Sequence, residues 1–155
     1  MTALCLSRKR TLHPIALVQR ERRLSQFAEF LTALVKELND LSGEGAAVLV
    51  EGKRDAKALA VLGYTGPLFT VALLTSSIAA RERLREEVRQ MIILTDLDSE
   101  GRRLASKYVK FLTQEGVRPS LSQRKRLSEA SRGVFLHIEN LGRFAHSAEN
   151  LAELS

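Results

Sequence analysis

The sequence predicts an α/β fold, in which helices cover both faces of a mainly parallel sheet of about four strands. Short apolar runs that suit buried strands alternate along the chain with stretches that repeat apolar residues at the helical period. This alternation is typical of units in which right-handed crossovers join parallel strands. With 155 residues, the chain can bury a substantial hydrophobic core as one domain.

The first predicted helix covers residues 20–41 and follows a basic arm at residues 1–12. Its apolar residues recur at the helical period, which predicts one buried face. Ser42 and Gly43 end this helix, because glycine readily adopts the left-handed backbone that closes a helix. We therefore expect residues 1–43 to form a basic arm and a helix packed on the main domain.

The remaining elements alternate through a predicted central domain at residues 44–142, which a tail helix at residues 143–155 follows. Predicted strands lie at residues 46–51, 68–73, 91–94 and 134–138. Predicted helices lie at residues 54–62, at residues 79–90 and in a basic stretch that ends at Glu115 and Gly116.

An acidic cluster follows the third predicted strand. Asp96, Asp98 and Glu100 lie there, and the first two are half of the chain's four aspartates. Open α/β sheets bind ligands at the carboxyl ends of their strands, and oxygen ligands alone favour Mg²⁺, followed by Mn²⁺. Helix capping is the alternative interpretation, with Asp98 or Ser99 as the cap and Glu100 in the first turn.

The first predicted strand ends in a similar pattern. Glu51 follows its apolar run, and Gly52 precedes a helix. Because parallel neighbours lie about 4.8 Å apart, acids at the ends of adjacent strands can share one metal ion or phosphate. Asp55 is better explained as a cap of this helix, while Lys53 is either a phosphate contact or a solvated charge.

Together, residues 50–55 (Val-Glu-Gly-Lys-Arg-Asp) and 95–101 (Thr-Asp-Leu-Asp-Ser-Glu-Gly) resemble the two signature motifs of the Toprim domain. Topoisomerases of types IA and II, bacterial primases, overcoming-lysogeny-defect nucleases, recombination mediators and ribosomal-RNA maturation ribonucleases share this domain. The resemblance spans residues 45–140 and is closest to small stand-alone archaeal Toprim proteins. It implies a Rossmann-like, three-layer α/β/α Toprim fold with an added N-terminal helix.

The resemblance also implies roles for the acids. Glu51 matches the family's general acid/base, and Asp96 and Asp98 match its metal ligands, with Mg²⁺ expected and Mn²⁺ as the substitute. Glu100 matches a third acid of the topoisomerase version. In that version a further glutamate follows the glycine, whereas this chain has Arg102, which argues against a topoisomerase-like site.

Other reactive residues are sparse. The only tyrosines, Tyr64 and Tyr108, are predicted to be packing residues, so we do not expect a topoisomerase nucleophile. The single cysteine excludes an internal disulfide. The three histidines, including His137, show no ligand spacing, and the sequence predicts no site role for them. Glu139 is either another acid beside the crevice or, as we favour, a surface residue.

Positive charge is concentrated directly after the acidic cluster. Residues 101–133 contain nine basic and two acidic residues, whereas the whole chain has a net charge of +6. A basic surface beside an acidic metal site suits a nucleic acid, although a solvated helix face is the alternative. The candidate nucleic-acid contacts are Lys53, Arg54, Arg102, Arg103, Lys107, Lys110, Arg124, Lys125 and Arg126.

These patterns predict a Mg²⁺-dependent protein that cleaves or transfers phosphodiester bonds in DNA or RNA. The alternative is a Toprim module that binds nucleic acid without cleaving it, as an accessory factor in repair, recombination or RNA processing. No phosphate-binding P-loop or dinucleotide motif is present, so no nucleotide cofactor is expected. We further expect a cytoplasmic protein without a membrane span that forms a homodimer or joins a larger nucleic-acid-processing complex.

Overall fold

The computed structural model describes residues 14–132 and 137–145. Within these residues, four parallel strands form one sheet in the order β2-β1-β3-β4. The strands are β1 (Ala46–Val50), β2 (Leu68–Thr70), β3 (Gln90–Ile93) and β4 (Arg118–Ser120). The predicted parallel sheet of four strands is thus confirmed, although its fourth strand lies elsewhere in the sequence.

Six α-helices and one 3₁₀ helix surround this sheet in the described part of the chain. The α-helices are α1 (Pro14–Ser42), α2 (Lys53–Val61), α3 (Val71–Ser76), α4 (Ile78–Glu87), α5 (Ser99–Gln114) and α6 (Ser122–Ser131). The 3₁₀ helix covers Ile138–Phe144.

The core consists of two apolar layers, one on each face of the sheet. All five residues of β1 are buried, as expected for a parallel strand covered on both faces. Val48 and Val50 pack in the layer formed with α1, α2, α6 and the 3₁₀ helix. Ala47 and Leu49 pack in the layer formed with α3, α4 and α5. This arrangement confirms the predicted three-layer α/β/α fold.

The two strands that precede the acidic motifs are direct neighbours. In the register of β1 and β3, Ala47 lies opposite Met91 and Leu49 lies opposite Ile93. Just beyond, the Leu94 amide donates a hydrogen bond of 2.8 Å to the Leu49 carbonyl. The segments that follow β1 and β3 therefore leave the sheet at the same edge, as the sequence predicted.

Two predicted boundaries were wrong. The strand predicted at residues 68–73 ends at Thr70, because Thr70 caps α3 by accepting a hydrogen bond of 3.1 Å from the Leu73 amide. The helix predicted at residues 79–90 ends at Glu87, and Gln90 already belongs to β3.

The fourth strand was missed because it is only three residues long and contains Pro119. Proline is tolerated on an edge strand, and among residues 14–132 and 137–145 β4 pairs with β3 alone. The last predicted strand, at residues 134–138, lies largely outside the described residues. Its final residue, Ile138, instead begins the 3₁₀ helix, in which buried residues recur at every third position.

Helix α1 begins at Pro14, six residues before the predicted start, and its second half packs on the domain. The predicted basic arm lies outside the described residues, as do residues 146–155 of the predicted tail helix. Phe144 closes the 3₁₀ helix and packs edge to face on Phe27, with ring centroids 5.0 Å apart. Within the described ranges, no helix is long and apolar enough to cross a membrane.

Candidate metal centre

Glu51 follows β1 and faces the loop that follows β3. Its Oε1 atom accepts a hydrogen bond of 3.0 Å from the Asp96 amide, which links the carboxylate that follows β1 to the loop that follows β3. Burial raises the pKa of the Glu51 carboxyl, and the charges of Asp96, Asp55 and Asp98 raise it further. The hydrogen bond from the Asp96 amide opposes these effects.

Asp96 is held by the 3₁₀ helix. Its Oδ1 atom accepts a hydrogen bond of 2.9 Å from the Ile138 amide. Its Oδ2 atom lies 3.3 Å from Nδ1 of His137. The backbone thus fixes the Oδ1 atom of Asp96. Within the residues that the structure describes, the Oδ2 atom has only the exposed His137 side chain as a hydrogen-bond partner, so it can also bind a cation.

Asp98 has a similar division between its two oxygens. Its Oδ1 atom caps α5 by accepting a hydrogen bond of 2.7 Å from the Gly101 amide. Its Oδ2 atom lies 3.8 Å from His137 Nδ1. The capping interpretation of Asp98 is therefore correct, and it leaves the second oxygen able to bind a cation.

Gly101 allows α5 to start directly against the loop. A Cβ atom at this position would lie 1.7 Å from the Asp96 carbonyl oxygen. The Gly101 carbonyl also accepts a hydrogen bond of 2.7 Å from the buried Thr95 hydroxyl. The glycine of the second motif thus serves close backbone packing.

Asp55 lies close to the acids of the site. Asp55 is buried and accepts a hydrogen bond of 3.1 Å from the Gly52 amide, which confirms its expected capping role on α2. Burial raises the pKa of Asp55, and the charges of Asp96 and Glu139 add to this effect. Glu139 itself is exposed.

Arg124 is half-buried and bonds the loop backbone. It donates to the carbonyl oxygens of Thr95 and Asp96, at 3.3 and 2.6 Å, and to the Thr95 hydroxyl at 3.1 Å. Burial and the nearby charge of Arg102 lower the pKa of Arg124, while Asp98, Glu51 and Asp96 oppose this. Arg124 therefore positions the loop, and its predicted phosphate contact would have to be made in addition to these bonds.

Glu100 is not brought together with the other acids. It is exposed in the first turn of α5 and accepts a hydrogen bond of 3.1 Å from Nε of Arg103, which lowers the Glu100 pKa. This contact also occupies Arg103, one of the expected nucleic-acid contacts. The predicted role of Glu100 as a third metal ligand stays a prediction.

The other basic candidates are mostly exposed. Arg126 is paired with Glu37 of α1 at 2.5 Å, and its expected contact to nucleic acid stays a prediction. The exposed remainder comprises Lys53 and Arg54 at the start of α2, Arg102, Lys107 and Lys110 on α5, and Lys125 on α6.

His137 is the site residue that the sequence did not identify. One ring nitrogen of His137 and one carboxylate oxygen each of Asp96 and Asp98 all lie within 4.8 Å of one another. The histidine is separated from Asp96 by 41 positions, so no local spacing could reveal it. Two carboxylates and an imidazole are a donor set that suits a divalent cation, so the residues present fit a divalent metal ion.

Comparisons with known proteins agree with this geometry. The family model of the Toprim domain matches residues 46–130, a segment that includes Glu51, Asp96 and Asp98 and ends before His137. A putative protein from Aquifex aeolicus has a similar structure, with a TM-score of 0.57 and 28% sequence identity. The similarity covers 70% of this chain and 94% of that one.

Archaeal proteins of similar sequence cover a comparable region. A UPF0292 protein of Methanosarcina barkeri is 34% identical over 113 residues, which are 73% of this chain and 78% of the relative. A UPF0292 protein of Methanocaldococcus jannaschii is 29% identical over 119 residues, which are 77% and 92% of the two chains.

Proposed function

The chain belongs to the Toprim domain family, and from this premise we propose that it cleaves or transfers phosphodiester bonds in nucleic acid with the help of a divalent metal ion. Family membership and the acidic cluster support a metal-binding, nucleic-acid-related role. The observation that carries the catalytic proposal is the convergence of Glu51 with Asp96 and Asp98 at the ends of two adjacent strands.

Glu51 is the proposed general acid/base. A carboxyl group whose pKa is raised can hold and release a proton closer to neutral pH, which efficient proton transfer requires. The Asp96 amide fixes one oxygen of Glu51, which leaves the other oxygen in a defined orientation for the proposed proton transfer. A module that only binds nucleic acid has no need of such a group.

Asp96 and Asp98 are the proposed metal ligands, through the Oδ2 atom of each. Their Oδ1 atoms are fixed by the Ile138 and Gly101 amides, so the two Oδ2 atoms are oriented before a cation arrives. Mg²⁺ or Mn²⁺ bound there would stabilise negative charge that develops on a phosphoryl oxygen.

The exposed basic residues of α5 are the proposed contacts to the nucleic-acid backbone. Asp98 caps this helix, so Arg102 lies one turn from the metal centre, and Lys107 and Lys110 extend the positive charge away from it. A nucleic-acid strand whose phosphates contact these basic residues would place one phosphodiester at Asp96 and Asp98. Phosphate contacts position a substrate without reading its sequence.

The decisive experiment incubates the protein with labelled DNA and RNA panels in Mg²⁺, in Mn²⁺ and in chelator. We expect metal-dependent cleavage that Glu51→Gln abolishes while metal binding is retained. Glu44→Gln is the matched control, because Glu44 is an exposed glutamate before β1, the opposite end of the strand that leads to Glu51. Binding without cleavage in every metal would instead identify a non-catalytic module.

A further inference from the structure

His137 lies beside both proposed metal ligands, where oxygen ligands alone were expected. Its Nδ1 atom is 3.3 Å from Asp96 Oδ2 and 3.8 Å from Asp98 Oδ2. Building on the proposed metal centre, we propose that His137 Nδ1 is the third protein ligand. This nitrogen ligand makes the site prefer a first-row transition ion, represented by Mn²⁺, over Mg²⁺.

The three candidate ligand atoms converge because backbone hydrogen bonds orient the two aspartates and buried residues hold the 3₁₀ helix in place. The Ile138 amide holds the far oxygen of Asp96, and Gly101 does the same for Asp98. Ile138 and Leu141 are buried and anchor the 3₁₀ helix, which holds the backbone of His137 close to Asp96. The atoms left facing one another are two carboxylate oxygens and one imidazole nitrogen.

The separations suit a shared ion. Ligand atoms about 2.1 Å from an ion lie up to roughly 4 Å apart across it, and the distances of 3.3 and 3.8 Å from His137 Nδ1 to the two aspartate oxygens fall within that span. The His137 side chain is 49% exposed, so its ring can adjust and solvent can complete the coordination.

The chemical consequence is a change of metal preference. Mg²⁺ takes oxygen ligands almost exclusively, whereas affinity for first-row transition ions rises when imidazole joins the site. A histidine that only positioned Asp96 through a hydrogen bond would have a different signature, since its loss would weaken Mg²⁺ and Mn²⁺ binding alike.

The test uses the full chain with His13→Asn and His146→Asn, which leaves His137 as the only one of the three histidines. Pulsed electron paramagnetic resonance of bound Mn²⁺, with ¹⁵N-labelled histidine, detects a directly coordinated nitrogen. We expect this coupling, and we expect His137→Gln to remove it. Calorimetry should show that His137→Gln weakens Mn²⁺ binding at least about tenfold and Mg²⁺ binding less than about threefold.

Three results would overturn the inference. Mn²⁺ binding that requires Asp96 but shows no nitrogen coupling would exclude His137 as a ligand and leave the proposed metal centre intact. Equal weakening of Mg²⁺ and Mn²⁺ binding in His137→Gln would assign the residue a positioning role only. Mn²⁺ binding that is unchanged in Asp96→Asn would overturn the metal centre itself, and the inference with it.

Discussion

Replacing Gly101 with alanine tests how closely α5 is docked on the metal-site loop. The added Cβ would lie 1.7 Å from the Asp96 carbonyl oxygen. Carbon and oxygen atoms in contact lie about 3.3 Å apart, so the helix or the loop must move by roughly 1.6 Å. Neither can move alone, because the Gly101 amide bonds Asp98 and its carbonyl bonds the buried Thr95 hydroxyl.

The cost follows from this crowding and from the bonds that hold Gly101 in place. Overpacking costs about 1–3 kcal/mol, and loss of the Asp98 cap adds about 1 kcal/mol. The better helix propensity of alanine returns up to about 1 kcal/mol. Because the opposing atom is backbone, we expect a net loss near the upper end, about 3 kcal/mol, which lowers Tm by roughly 6–12 °C in a chain of this size.

Urea unfolding followed by far-ultraviolet circular dichroism measures this loss. Gly52→Ala is the matched control, because Gly52 belongs to the other motif, has extended backbone and has no atom within 4 Å of an added Cβ. We expect Gly52→Ala to stay within about 0.5 kcal/mol of the wild type. Equal unfolding midpoints for the two variants would refute the close docking of α5.

Three further predictions concern the loop, the ion and the nucleic acid. Arg124→Gln should cost about 1–3 kcal/mol in urea unfolding, because it removes bonds to the half-buried loop, whereas the exposed Lys125→Gln should cost under about 0.5 kcal/mol. Asp98→Asn should keep the stability of the metal-free protein within about 0.5 kcal/mol, since asparagine caps equally well, yet should lose the rise in Tm that Mn²⁺ produces by mass action. Lys107→Gln with Lys110→Gln should weaken binding to every duplex sequence and flatten the log–log salt dependence of the affinity by about 0.9 for each phosphate that the protein no longer neutralises.

Each of these predictions has an outcome that contradicts it. Unfolding midpoints of Arg124→Gln that match Lys125→Gln would remove Arg124 from the support of the loop. An undiminished Mn²⁺ response in Asp98→Asn would place the ion elsewhere. For the lysine pair the control is Arg126→Gln, since Arg126 is already paired with Glu37; an equal change of slope in that control would move the phosphate contacts to α6.

The sequence predicted well where Glu51 and Asp96 lie relative to the strands, because local pattern determines those positions. Apolar runs followed directly by Glu51 and Asp96 place both acids at strand ends, and parallel pairing of β1 with β3 brings those ends together. The order of the strands in the sheet could not be read from the sequence. The resemblance to the Toprim domain was needed to predict that the two motifs form a single site.

The parts that sequence reasoning missed depend on contacts between distant segments. His137 approaches Asp96 only because the 3₁₀ helix docks at the sheet edge. Arg126 pairs with Glu37 across 89 positions, a partner that no local pattern indicates. Arg124 is directed to the loop by the start of α6, a helix that the sequence did not predict because its residues are largely polar.

In Asp96 and Asp98, one carboxylate oxygen accepts a backbone hydrogen bond and the other is the proposed metal ligand, and this has an evolutionary consequence. Asparagine can accept the same amide hydrogen bonds as Asp96 and Asp98, and one nucleotide substitution converts an aspartate codon into an asparagine codon. Such a change leaves the fold intact while removing the charge that would attract a cation. Lineages of this protein can therefore lose the proposed metal site in a single step and still retain a folded domain.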